Sequence, residues 1–226
     1  MVGMDEKVVC LVSGGIDSPV ACVLVSKKFR VIPLHFCLFP LASEESFLLA
    51  MDIIRDMQKV VKFKKLIVYP WGNIIQTILE SREKPSYTCV LCRHAMFKAA
   101  ERLCKIENAK AIVTGESLGQ KATQTLQNLR AASSGVKVPI LRPLLGLDKM
   151  EIEQISKEFG IWHLEHAGRC YAVPKAPTTE AKIREVNRLF GKLGLSKMIE
   201  ENFDKILEVK TFKEDFQEYL FDVLGG

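Results

Sequence analysis

A chain of 226 residues, 48% hydrophobic and 26% charged, is long enough for one well-buried α/β domain plus a small appendage, and this excludes disorder or low-complexity repeats as its main organisation. The net charge of +5 is uneven: residues 178–226 hold eight Lys/Arg against ten Asp/Glu, so the basic surplus lies in residues 1–177, where it suits polyanionic ligands without singling one out. Seven scattered cysteines argue against a disulfide framework and for a reducing cytoplasm, and no apolar run approaches the roughly 18 residues that span a membrane.

In chain order, Lys7–Val12 and Arg30–Phe36 are β-branched runs separated by a helical segment, Pro19–Lys28, which predicts a βαβ beginning and a parallel sheet. Ser43 offers a cap and Glu44 and Glu45 a first-turn charge for a helix whose core face is Phe47, Leu48, Met51, Ile54, Met57 and Val61. Lys65–Tyr69 is a third strand and Asn73–Arg82 a further helix. Cys89 and Cys92 fall at the start of a helix with Met96, Phe97, Ala100, Leu103 and Cys104 on one face. Ala111–Thr114 and Val138–Leu141 are the fourth and fifth strands, with a helix from about Gln120 to Ala131 between them. Asp148 caps a helix over Lys149–Phe159 that Gly160 closes. The alternation predicts an α/β fold with a doubly wound, parallel five-stranded sheet over residues 1–177. Amphipathic helices over 178–226 would form a C-terminal extension, serving as a lid, a homodimer contact or an RNA contact.

The turn after the first strand, Leu11-Val12-Ser13-Gly14-Gly15-Ile16-Asp17-Ser18, carries the chemistry. Adjacent glycines let backbone N–H groups approach an anion, two serines add hydroxyls, and the helix that follows presents its positive end. No lysine stands between Gly14 and Lys27, so the G-x-x-x-x-G-K-[ST] pattern fails, and adjacent glycines do not make G-x-G-x-x-G. A glycine-rich turn without function is the plain alternative. The flanking serines, Asp17 and the apolar strand make a phosphate site the better account.

Ser13–Ser18 resembles the S-G-G-x-D-S loop of the PP-loop ATP pyrophosphatase superfamily, whose members split ATP between its α and β phosphates. Those members include tRNA thiolation enzymes, NAD and GMP synthetases and deazaguanine-nitrile synthases. Val113–Gln120, Thr125–Leu129, Pro139–Leu144, Cys-x-x-Cys-Arg at 89–93 and Asp148-Lys149-x-Glu151-Ile152 are together similar to the tRNA 4-thiouridine synthetase family, ThiI, over about Lys7 to Thr178. The resemblance implies an ATP site from Leu11, Val12, Ser13, Gly14, Gly15, Ile16, Asp17, Ser18, His35, Phe36, Arg93, Gly115 and Gln124, with Mg²⁺ on the phosphates and Asp17 organising ion and loop. ATP would adenylate O4 of a uridine, and sulfur would then displace AMP.

Gly168-Arg169-Cys170-Tyr171 aligns with the catalytic-cysteine loop of that family. By the resemblance, Cys89, Cys92 and Cys170 are expected catalytic residues and ligands of a [4Fe–4S] cluster. Zinc with His94, His163 or His166 competes, and a redox or core C-x-x-C pair is the plainer reading. His163, Glu165, His166 and Arg169 are expected to crowd the approach to Cys170. The implied partners are tRNA and a sulfur donor, either sulfide or a persulfide carrier. The loop starts close to residue 1 and no rhodanese-like segment is seen, so a separate THUMP-type RNA-binding protein, the C-terminal helices or a different substrate would replace the family's usual RNA grip. Activation of a small thiazole precursor and a non-catalytic ATP-binding subunit are the alternative functions.

Overall fold

A computed structural model describes residues 5–163, 170–210, 212 and 216–223. Five strands run parallel: β1 (Lys7–Leu11), β2 (Arg30–Cys37), β3 (Leu66–Pro70), β4 (Ala109–Val113) and β5 (Ile140–Leu141). A sixth, β6 (Leu207–Val209), adds to β3 antiparallel, giving the order β5-β4-β1-β2-β3-β6. The five-stranded sheet expected from the sequence is therefore present, and the C-terminal extension is not wholly helical. Three residues of strand leave no periodic signature; β6 exists because the open edge of β3 supplies donors and acceptors for it. Lys65 Nζ fastens that edge, reaching Glu208 at 2.7 Å and Glu107 at 2.8 Å.

Successive strand residues point to opposite faces, and both faces are covered. Val9, Leu11, Leu34, Phe36, Tyr69 and Trp71 face α3 (Gly72–Glu80), α4 (Thr88–Glu107), α5 (Leu126–Ala132), α7 (Ile183–Lys192) and α8 (Leu195–Asn202). Val8, Cys10, Cys37 and Val68 face α1 (Asp17–Ser26), α2 (Glu44–Gln58) and α6 (Lys149–Glu158). Cys10, Cys22, Cys37 and Cys104 are buried, as core cysteines should be.

Two caps follow the sequence reading. Ser43 accepts from Ser46 N–H at 3.3 Å, and Asp148 with Glu151 forms a full capping box at 2.9 and 2.7 Å. The helix expected over Gln120–Ala131 is broken instead. A single tight turn at Ala122–Gln124 precedes α5, because Thr125 is extended (ψ 155°) and caps α5 by accepting from Asn128 N–H at 3.2 Å. β5 is also shorter than the Val138–Leu141 run, since Pro139 has no N–H to donate and contributes only its carbonyl, to Ile112 N–H at 2.9 Å.

The chain leaves β1 toward β2 and β3, then crosses back through α4 to β4 on the other side of β1. The reversal puts a crevice between the carboxyl ends of β1 and β4, where open α/β sheets bind their ligands. Among the described residues no helix is long and apolar enough to cross a membrane.

Candidate nucleotide and sulfur site

The Ser13–Ser18 loop lies at this switch point. Ser18 Oγ accepts from Ser13 N–H at 2.8 Å and sits 3.0 Å from Ser13 Oγ, so the two serines close the loop. No side chain caps α1, which leaves its first-turn N–H groups for an anion. A Cβ on Gly15 would meet only Ser13 Oγ, at 3.6 Å; the fold itself does not demand glycine there, and open space remains above the loop. Gly115, directly after β4, is different. A Cβ there would stand 2.6 Å from Ser18 N and 2.7 Å from Asp17 C and Ser18 Cα, so the β4 loop bears on the backbone of the phosphate loop.

The remaining expected ATP residues surround this contact. Leu11 and Phe36 are buried, with Phe36 4.7 Å from the Trp71 ring, so only their main chains are free to meet a nucleotide. Val12 and Ile16 are likewise buried. His35 is buried with Nδ1 3.0 Å from Val12 O. Burial pushes its pKa down to about 4 against a smaller upward pull from that hydrogen bond, so the ring is neutral and ties β2 to the start of the loop. Gln124 is 3% exposed and its Oε1 is buried without a partner, as is Gln120 Nε2. Orphaned amide groups beside an anion loop fit a ligand that brings its own donors and acceptors.

The His35 shift makes a prediction. Its unfolded form takes up a proton near pH 6.5 while the folded form resists until about 4, so stability is complete above the higher value and falls through the window between them. Denaturant titrations of wild type should lose about 3 kcal/mol more than His35→Gln between pH 7 and pH 4. Parallel curves for the two proteins would show that His35 is not held neutral.

Three ion pairs frame the loop, and the sequence assigned no role to Lys149, Glu116 or Arg142 in them. Lys149 Nζ, at the first residue of α6, lies 3.0 Å from Asp17 Oδ1. Glu116, 1% exposed, holds Arg142 Nε at 2.8 Å and has Arg93 Nε at 3.6 Å. A charged residue directly after a strand-end glycine, and a lysine directly after a helix cap, are the signals from which both were findable. Ser117 Oγ donates to Leu147 O at 2.7 Å, which joins the β4 loop to the turn before α6.

Cys89 and Cys92 sit in the first turns of α4, four residues and one residue before Arg93 in the same Cys-x-x-Cys-Arg run. Burial pushes both thiols up, Cys92 to about 12, while Arg93 and Lys121 oppose the rise at Cys89 and the Trp71 N–H, 3.2 Å from Cys92 Sγ, opposes it at Cys92. Cys170 is exposed, yet close enough to raise both further by charge repulsion. A strap brings it there. Thr178 N–H donates to Ser86 O at 2.9 Å, buried Asn128 bonds Thr178 O at 2.7 Å and Ala181 N–H at 2.8 Å, and Lys182 N–H reaches Tyr87 OH at 3.2 Å.

The three thiols therefore share a neighbourhood, but among the described residues no three His, Cys, Asp or Glu side chains are arranged to hold a metal ion. His94 is committed elsewhere, with Nδ1 3.0 Å from Ala132 O, and His163 lies 3.5 Å from Asp56 of α2, across the sheet from α4. Glu165, His166, Gly168 and Arg169 fall outside the described residues.

A doubly wound sheet with an S-G-G-I-D-S loop at its switch point, pressed by a glycine from the neighbouring strand, defines a PP-loop nucleotide-binding protein. Residues 3–195 match the family described as "Thiamine biosynthesis protein (ThiI)", and the chain belongs to that family. It is 40% identical over 199 residues to a probable tRNA sulfurtransferase of Methanocaldococcus jannaschii, covering 85% of this chain and 51% of the relative. A probable tRNA sulfurtransferase of Methanobrevibacter smithii is 40% identical over 210 residues, covering 90% and 55%. The chain thus spans about half the length of the curated relatives it matches. Among solved structures, a 4-thiouridine synthetase in complex with RNA and bound ATP superposes with a TM-score of 0.78 at 29% identity, covering 90% of this chain and 55% of that one.

Proposed function

We propose that this chain is the ATP-dependent activating and sulfur-transferring part of a tRNA uridine thiolation enzyme. The observation that carries the reading is the convergence, at one end of the sheet, of the uncapped Ser13–Ser18 loop, Gly115 upon it, and the Cys89/Cys92 turn of α4 reached through Arg93. ATP would lie with its phosphates over the loop, the backbone N–H groups and α1 supplying fixed positive potential. Arg93 and Gln124 would complete the nucleotide site, and Lys149 would balance Asp17 until phosphates arrive. Mg²⁺, when bound with ATP, would neutralise charge on the phosphates, and Asp17 would help to hold it.

Uridine O4 would attack the α-phosphorus as pyrophosphate leaves, with the N3 proton lost to solvent. Hydrosulfide would then add at C4 and AMP depart, leaving the thiocarbonyl. Cys170, exposed near the half-buried Cys89 and Cys92 thiols, would take the outer sulfur of a persulfide carrier as the carrier's thiolate leaves, and attack on Cys170 by one of those thiols would release it as hydrosulfide with a disulfide left behind; free sulfide would bypass both steps. A THUMP-type RNA-binding partner would present the tRNA.

The test uses anaerobic protein with ATP, sulfide and unmodified tRNA, reading pyrophosphate and thionucleoside together. Wild type should release pyrophosphate in step with 4-thiouridine, and Cys170→Ala should lose thiolation from a persulfide donor while keeping ATP binding and the sulfide-driven reaction. Absence of both products with every tRNA tried, with or without an RNA-binding partner, would sink the reading. Product formation from a small thiazole precursor but never from RNA would replace it.

A further inference from the structure

We propose that Glu116 is a positioning residue for the nucleotide site: it aims the Arg93 guanidinium and fixes the α4 turn that carries the cysteines relative to the phosphate loop. The proposal rests on the reading of Arg93 as a nucleotide ligand.

Glu116 is a carboxylate in the wrong place for stability alone. It is 1% exposed, and only Oε2 has a hydrogen bond of normal length, from Arg142 Nε at 2.8 Å. Oε1 is buried with no hydrogen-bond partner; Arg93 Nε stands 3.6 Å away, an ion pair too long to be a hydrogen bond. A buried charge satisfied on one oxygen is costly, and well-packed apolar residues would serve a purely structural purpose as well or better.

Its neighbours explain what it does instead. Arg93 and Arg142 both stand over the Phe97 ring, at 5.9 and 5.8 Å from its centroid, so two like charges meet at one ring. Glu116 is the countercharge that holds them there. Arg142 is anchored independently through Ser133 Oγ at 2.7 Å, which makes it the fixed side of the pair. Arg93 is the adjustable side: only its Nε is engaged, and among the described residues its terminal nitrogens have no hydrogen-bond partner. Gly115, the residue before it, packs on the Asp17–Ser18 backbone, so the carboxylate has a set position relative to the phosphate loop. One side chain thereby joins β4, β5 and α4.

The sign of the effect separates positioning from bulk electrostatics. Removing a negative charge near a polyanion strengthens binding if charge is all that matters; removing the group that aims Arg93 weakens it. Equilibrium ATP binding should be measured for wild type, Glu116→Gln, Arg93→Met and the double variant. Glu116→Gln should raise Kd about tenfold, the scale of one lost charge-assisted contact. The double variant should bind no more than about twofold more weakly than Arg93→Met, because two groups acting as one do not add. Glu116→Asp, which keeps the charge but withdraws the carboxylate by one methylene, runs the same cycle if the Gln variant does not fold, with a smaller loss and the same non-additivity expected. Unchanged or tighter binding in both Glu116 variants, or a loss that adds in full to that of Arg93→Met, overturns the proposal. ATP binding by Arg93→Met equal to wild type overturns it through Arg93 alone, while failure of wild type to bind ATP overturns the functional reading and this inference together.

Discussion

Gly115→Ala should weaken ATP binding about a hundredfold and destabilise the fold, although the substitution adds a single methyl group. The new Cβ would fall 2.6 Å from Ser18 N and 2.7 Å from Asp17 C, both main-chain atoms that cannot swing aside as a side-chain tip would. Either the β4 loop or the Asp17–Ser18 turn must retreat by roughly an ångström, and the Ser13–Ser18 closure at 2.8 Å opens with it. Misplacement on that scale costs about a hundredfold in a positioned site, and overpacking of this kind about 1–3 kcal/mol in stability. Titration calorimetry with ATP and a denaturant midpoint read the two effects separately. Wild-type ATP affinity in this variant would mean that the nucleotide does not use the β1–β4 crevice.

Asp17→Asn should show the opposite division between function and stability. The Asp17–Lys149 pair spans 3.0 Å, but the lysine side chain is 47% exposed, and pairs of that exposure contribute about 0–1 kcal/mol. The folded state should therefore be nearly unchanged. Pyrophosphate release should fall by about 10²–10³, the usual consequence of removing one preorganised group where charge develops. Lys149→Met should fall in parallel, since each residue orients the other across the mouth of the loop. Near-normal turnover in Asp17→Asn, with the same thermal midpoint, would reduce Asp17 to a helix-start residue that merely favours the α1 dipole.

Much of this site was readable before any coordinates, and the reasons differ by residue. The phosphate loop is local: its serines, glycines and aspartate are contiguous, and a strand and a helix on either side leave little choice about its geometry. The Asp148–Glu151 capping box and the Ser43 cap are local for the same reason. Gln124 and Gly115 were assigned to ATP through family resemblance, since nothing within a few residues of either identifies a nucleotide. The broken helix before α5 was misjudged because apolar spacing outweighed Thr125, whose hydroxyl stabilises a fresh helix start better than it continues an old one. The approach of Cys170 to Cys89 and Cys92 is a matter of distances, and spacing along the chain cannot supply distances between residues 92 and 170.

The sequence by itself determined the strand–helix alternation, the phosphate loop and its exclusion of a γ-phosphate lysine, because each depends on residues within a few positions of one another. Only the tertiary structure decided how closely Gly115 presses onto that loop, that Glu116 gathers Arg93 and Arg142, that Lys149 faces Asp17, and that Asn128 fastens the 178–181 segment to α5. Those contacts join segments tens of residues apart, and a buried ion pair or a forbidden Cβ comes into being only when packing has brought its partners together.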